Sequence, residues 1–213
     1  MFLAPADALF FDFRMKSLPN LISFARIVLT PAVLILLISN TLWGSIGAFV
    51  LFVVAAISDY VDGKVARSMG TRSRLGQFLD PLADKILVLG TFITLAVMMP
   101  NLVPWWAVAL IALRDVVVTA LRMWAEARGR TLRTIPMAKT KTTLQLTFLI
   151  GVLLLLVVRR FQGALADLAS AAHWLLDSPI PFVLLMVLVA LTVYTGVWYL
   201  VNKDYVAPAK FNG

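Results

Sequence analysis

Residues 59–84 read DYVDGKVARSMGTRSRLGQFLDPLAD. This is the charged middle of an otherwise apolar stretch. Val53-Val54-Ala55-Ala56-Ile57 leads into it and Ile86-Leu87-Val88-Leu89 leads out. Asp59, Asp62, Asp80 and Asp84 therefore stand beside segments apolar enough to enter a bilayer. Carboxylates at such depth are costly and face a bundle interior or a cavity. Asp59 and Asp62 are three apart and Asp80 and Asp84 four apart, so each pair shares one face of a helix. A loop over Arg67 to Leu79 is short enough to set the two helices antiparallel, and the four carboxylates then converge.

Outward from this stretch the chain is membrane-like. Of 213 residues, 61% are apolar and only 14% charged, against roughly 45–50% and about 25% in soluble domains. A disordered chain is excluded and a polytopic membrane protein is expected. Six spans are expected near 20–39, 43–66, 81–99, 104–127, 142–159 and 180–201, separated by turns at Ser39-Asn40, Met99-Pro100-Asn101 and Asp177-Ser178-Pro179. The fold class is thus all-α, with one six-helix domain over 18–205 and a short tail over 206–213. Residues 160–178 form a longer connector with an apolar helical pattern, expected to lie along the membrane. Residues 1–17 carry Phe2, Phe10, Phe11 and Phe13 ahead of Arg14 and Lys16. That order is wrong for a signal peptide and fits a short interfacial helix or a frayed end.

Charge gives the orientation. The net charge is +8. With six spans, fourteen Lys and Arg fall on one side and only Arg159 and Arg160 on the other. Both termini and the aspartate loop are then cytoplasmic. The basic excess reads as positive-inside anchoring on anionic lipid headgroups, not as nucleic-acid binding. Trp43, Trp105, Trp106, Trp174 and Trp198 read as interfacial belt residues.

The chain has no Cys and one His, His173. Thiolate chemistry and multi-histidine metal motifs are excluded, and His173 reads as structural. A metal would have to be a hard cation on carboxylate oxygen, such as Mg²⁺, which keeps positions open for substrate phosphates. Two such ions stabilise both the attacking and the leaving oxygen of a phosphate displacement. Gly63 and Ala66 leave room for a ligand against the helix, Gly76 frees the loop backbone, and Arg67 can grip a phosphate bidentately. The competing reading is structural ion pairing with Lys64, Arg67 and Lys85.

The spacing Asp59-x2-Asp62-Gly63-x2-Ala66-Arg67-x8-Gly76-x3-Asp80-x3-Asp84 resembles the signature of the CDP-alcohol phosphatidyltransferase family, with every fixed position occupied. The resemblance implies a six-helix membrane enzyme, often a homodimer, that moves a phosphatidyl or similar group from a CDP-linked donor to an alcohol and releases CMP. It implies two divalent ions, Mg²⁺ or Mn²⁺, on Asp59, Asp62, Asp80 and Asp84. Asp84 would be the general base. Asp59, Gly63, Ala66, Arg67 and Gly76 would contact the CDP group.

Three further stretches, Ser17 to Arg26, Leu113 to Arg122 and Ala138 to Gln145, look like bacterial phosphatidylglycerophosphate synthases, a branch of that family. Asp115 departs from the Glu of many relatives. This likeness implies a bacterial inner-membrane location, CDP-diacylglycerol as donor and sn-glycerol 3-phosphate as acceptor. Arg114 and Arg122 are eight apart, two turns on one side of a span. With Lys139, Lys141 and Arg26, which stands at a similar depth, they could hold the acceptor phosphate. The bland alternatives are an Arg114–Asp115 pair and lysines that serve only as anchors. Other acceptors, phosphatidylglycerol (a cardiolipin synthase) or an inositol phosphate, fit the same machinery. A divalent-cation transporter would explain the aspartates but not Gly63, Ala66, Arg67 and Gly76.

Overall fold

The computed structural model describes residues 25–69, 74–128, 130–132, 136–202 and 206–208; within them, side chains are not described for 59–82, 84, 122, 126–127, 130–132, 136–139 and 206–208. The segment 1–17, expected to be interfacial, lies outside the described residues. Seven α-helices follow in chain order: α1 (Ala25–Ile38), α2 (Leu42–Met69), α3 (Arg74–Met98), α4 (Trp105–Ala127), α5 (Pro136–Val158), α6 (Ala166–Asp177) and α7 (Pro179–Val201). A 3-10 turn, Gly163–Leu165, precedes α6. Two short strands, β1 (Arg130–Leu132) and β2 (Val206–Pro208), pair antiparallel with Thr131 opposite Ala207. That ladder has no counterpart in the sequence reading.

Each expected span overlaps a described helix, the first from residue 25 onward. Among the described residues, Thr140–Val158 and Pro179–Val201 are long and apolar enough to cross a membrane, and Ala25–Ile38, Leu42–Ser58 and Lys85–Met98 are shorter apolar stretches. The connector 160–178 contains α6, as its apolar period required.

One expectation is corrected. The loop from Arg67 to Leu79 is mostly helix: α2 runs to Met69 and α3 starts at Arg74. Gly76 therefore lies in the first turn of α3 and not in a flexible loop. A span ends where the bilayer does, but a helix need not. Lys, Arg and Ala are good helix formers, so charged residues continue it into water.

The chain forms two compact units, Met1–Gly90 and Thr91–Gly213. In the first, Val33 and Leu37 of α1, Ala48, Phe52 and Ala55 of α2, and Ala83 and Leu87 of α3 are buried at helical spacing. Asn40 takes a left-handed φ of 56° to turn the chain between α1 and α2. Thr41 then caps α2, its Oγ1 accepting from the Gly44 N–H at 3.0 Å. Glycines bring α1 close to both neighbours: a Cβ on Gly47 would sit 3.1 Å from Leu36 Cδ1, and one on Gly90 3.2 Å from Leu34 Cδ1.

In the second unit α7 packs against α4, α5 and α6. The core stripe of α4 is Ala107, Val108, Ile111, Asp115, Val118 and Ala125; that of α5 is Lys141, Gln145, Leu149, Val152 and Leu156. Phe92 of α3 stacks on Phe148 of α5, with centroids 6.0 Å apart. Ser178 caps α7 and Pro179 takes its first position. The end of α4, β1, the start of α5, the end of α7 and β2 lie at one end of this unit. Arg159, Arg160 and α6 lie at the other. There, burial and the neighbouring Arg160 pull the Arg159 guanidinium below its ordinary value, and Asp177 opposes them.

Candidate functional site

The signature occupies two successive helices. Asp59, Asp62, Gly63, Ala66 and Arg67 are in the second half of α2; Gly76, Asp80 and Asp84 are in the first half of α3. Both helices are continuous through these positions, so Asp59 and Asp62 share one face of α2, and Asp80 and Asp84 one face of α3. Their side chains lie outside those described, as do those of Arg122 and Lys139. Among the described residues no group of three or more His, Asp or Glu gathers. Arg26 is buried on α1, where its carbonyl accepts from Thr30 Oγ1 at 2.9 Å. His173 is exposed on α6.

The described polar centre is in the second unit. Asp115 of α4 accepts on Oδ1 from Arg114 Nη1 at 3.1 Å and from Lys141 Nζ of α5 at 2.5 Å. The side-chain exposures are 10% for Arg114, 8% for Asp115 and 2% for Lys141. Lys141 is therefore no headgroup anchor. It sits on the core stripe of α5, one residue inside the apolar segment Thr140–Val158. Arg114 pairs with its neighbour, as the bland alternative held, but that pair does not satisfy it. Its Nε and Nη2 are buried and have no hydrogen-bond partner among the described residues. The three groups sum to one positive charge. Breaking a buried pair of this kind costs about 3–5 kcal/mol because a charge is left uncompensated.

The stem of Arg114 runs over α7. A Cβ built on Gly196 would lie 2.9 Å from Arg114 Cγ and 3.6 Å from its Cβ. Two more buried polar atoms without partners among the described residues are Gln145 Nε2, one turn beyond Lys141, and Thr192 Oγ1, one turn before Gly196. No residue of α7 stands among the site residues expected from the sequence. Its only signal was Gly196 within an otherwise bulky run. Asp115 was readable, as an acid on the stripe Val108, Ile111, Asp115, Val118.

Residues 16–194 match the family described as CDP-alcohol phosphatidyltransferase. The CDP-diacylglycerol–glycerol-3-phosphate 3-phosphatidyltransferase of Bacillus subtilis (strain 168) is 34% identical over 152 residues, 66% of this chain and 78% of that one. The protein of the same name from Escherichia coli (strain K12) is 32% identical over 139 residues, 62% of this chain and 74% of that one. The chain belongs to the CDP-alcohol phosphatidyltransferase family and is an integral-membrane transferase of phospholipid metabolism.

Proposed function

We propose that the protein transfers the phosphatidyl group of CDP-diacylglycerol to sn-glycerol 3-phosphate, giving phosphatidylglycerol phosphate and CMP. The observation that carries the acceptor is the buried Arg114–Asp115–Lys141 cluster, in which Arg114 Nε and Nη2 have no hydrogen-bond partner among the described residues. A phosphomonoester acceptor needs such cations; phosphatidylglycerol, with no monoester, needs fewer. The names of the two relatives point to the same acceptor.

Asp59, Asp62, Asp80 and Asp84 would hold two divalent cations, Mg²⁺ or Mn²⁺. The fit is that of an oxygen-only donor set at i, i+3 and i, i+4 on unbroken helices. Bound there, such ions neutralise the donor diphosphate. Asp84 takes the proton from the acceptor hydroxyl as its oxygen attacks the phosphorus that carries diacylglycerol. The bond from that phosphorus to the bridging oxygen breaks, and CMP leaves with the electron pair. Gly63 and Ala66 admit the CDP group against α2, and Gly76 does so on the first turn of α3. Arg67 binds a diphosphate oxygen. Arg114 and Lys141, with Arg122, Lys139 and Arg26, bind the acceptor phosphate. Catalysis is then mostly positioning and charge neutralisation.

The same reading puts six spans in a bacterial inner membrane, with both termini, the signature and the basic end of the second unit on the cytoplasmic face. It takes residues 1–17 as an interfacial helix and the working form as a homodimer. The test is CMP release by purified protein with CDP-diacylglycerol and Mg²⁺. Glycerol 3-phosphate, glycerol, inositol phosphate and phosphatidylglycerol are compared, with Asp84→Asn as control. Release with glycerol 3-phosphate alone, lost in the control, is the expected result. Release with another acceptor and not with this one overturns the acceptor assignment.

A further inference from the structure

Arginine offers an anion two different edges. Nη1 lies on the side of Cδ. Nε and Nη2 lie together on the other side and form a parallel pair of N–H donors matched to two oxygens of a phosphate. In this protein Asp115 occupies Nη1, while Nε and Nη2 are buried and unpartnered among the described residues. Asp115 also draws Lys141 in from α5, and Gly196 lets the Arg114 stem lie flat on α7.

We propose that Asp115 is a positioning residue for the acceptor: it fixes the rotation of Arg114 so that the Nε/Nη2 edge grips the acceptor phosphate bidentately, with Lys141 held beside it. This rests on the acceptor reading above and deepens it. Asp115 touches neither substrate. Its charge offsets that of the two cations, which makes them tolerable at the edge of an apolar segment, and its bond to Nη1 leaves the Nε/Nη2 edge for the ligand. The carboxylate takes the end-on nitrogen, and the side-on pair remains for substrate. A carboxylate that merely balanced charge could take either edge.

The experiment is steady-state kinetics of the full chain in detergent–lipid micelles, with each substrate varied in turn, on wild type, Asp115→Asn, Asp115→Glu and Arg114→Lys. Thermal unfolding is followed with and without glycerol 3-phosphate. Asp115→Asn is expected to raise the KM for glycerol 3-phosphate ten-fold or more and to leave the KM for CDP-diacylglycerol within two-fold. Asp115→Glu should restore most of the loss. Arg114→Lys keeps the charge but lacks the paired edge, and should raise the acceptor KM at least ten-fold and abolish the thermal shift given by glycerol 3-phosphate. If Asp115→Asn does not fold, Asp115→Glu and Arg114→Lys decide. Wild-type acceptor KM in Asp115→Asn or in Arg114→Lys overturns the positioning role and leaves the acceptor reading standing. A wild-type enzyme that releases CMP only with a different acceptor overturns the reading, and the inference with it.

Discussion

Replacing Gly196 by Ala tests the geometry of Arg114 from the other side. The new Cβ would stand 2.9 Å from Arg114 Cγ, whereas carbon atoms pack at about 3.5–4.0 Å. The Arg114 stem must therefore retreat by about 0.6–1 Å. The head group is levered with it, which lengthens the 3.1 Å bond to Asp115 and turns the Nε/Nη2 edge without separating the two charges. Overpacking of this kind costs about 1–3 kcal/mol, and Ala regains about 1 kcal/mol over Gly in a helix. Stability should thus fall by only about 0–2 kcal/mol. Misplacing a charge-assisted contact worth about 1.5–3 kcal/mol should raise the acceptor KM by one to two orders of magnitude. Gly151→Ala on α5 is the control, because nothing lies within 4 Å of its Cβ; it should leave KM unchanged and stability equal or higher. The assay is initial rate against glycerol 3-phosphate, with Tm on the same preparations. An unchanged acceptor KM in Gly196→Ala would refute the claim that α7 sets Arg114.

Three further outcomes are expected. Gly44→Ala would drive its Cβ against Ser39 Oγ and to 2.6 Å from the Leu36 carbonyl oxygen; backbone cannot yield as a side chain does, so unfolding should come at least 1 kcal/mol earlier, at about the overpacking cost. A Tm equal to wild type would contradict that close approach. Lys141→Met removes a charge-assisted hydrogen bond to a buried carboxylate that Arg114 still balances and should cost about 1.5–3 kcal/mol, read from chemical denaturation; a loss under 1 kcal/mol would place Lys141 in water. Asp177→Asn withdraws the charge that opposes Arg160 at Arg159. That site is partly solvated, so the expected loss is about 0–1 kcal/mol, smaller still in high salt, and a larger loss would mean a tighter pair than the fold shows.

Much of this was legible in the linear chain because helices write their period into it. The stripe Arg26, Thr30, Val33 and Leu37 on α1, or Val108, Ile111, Asp115 and Val118 on α4, repeats every three to four residues. The turns at Asn40 and Ser178-Pro179 carry the residues their backbone demands. The helix α3 begins at Arg74, ahead of the span expected from residue 81, because charge marks the edge of a bilayer, not the end of a helix.

The sequence by itself therefore determined the helices, their apolar character and the spacing of the four aspartates along α2 and α3. It also held the signature that gives the family. Tertiary structure alone decided which buried groups meet. Asp115 finds Lys141 on α5, 26 positions further along the chain, and Arg114 finds a bed on α7 at a glycine. One-dimensional period says which face of a helix is inward but not which helix lies opposite. That choice depends on close approach at small residues and on which buried charges can satisfy one another. Both are properties of the packed helices and of no single stretch of chain.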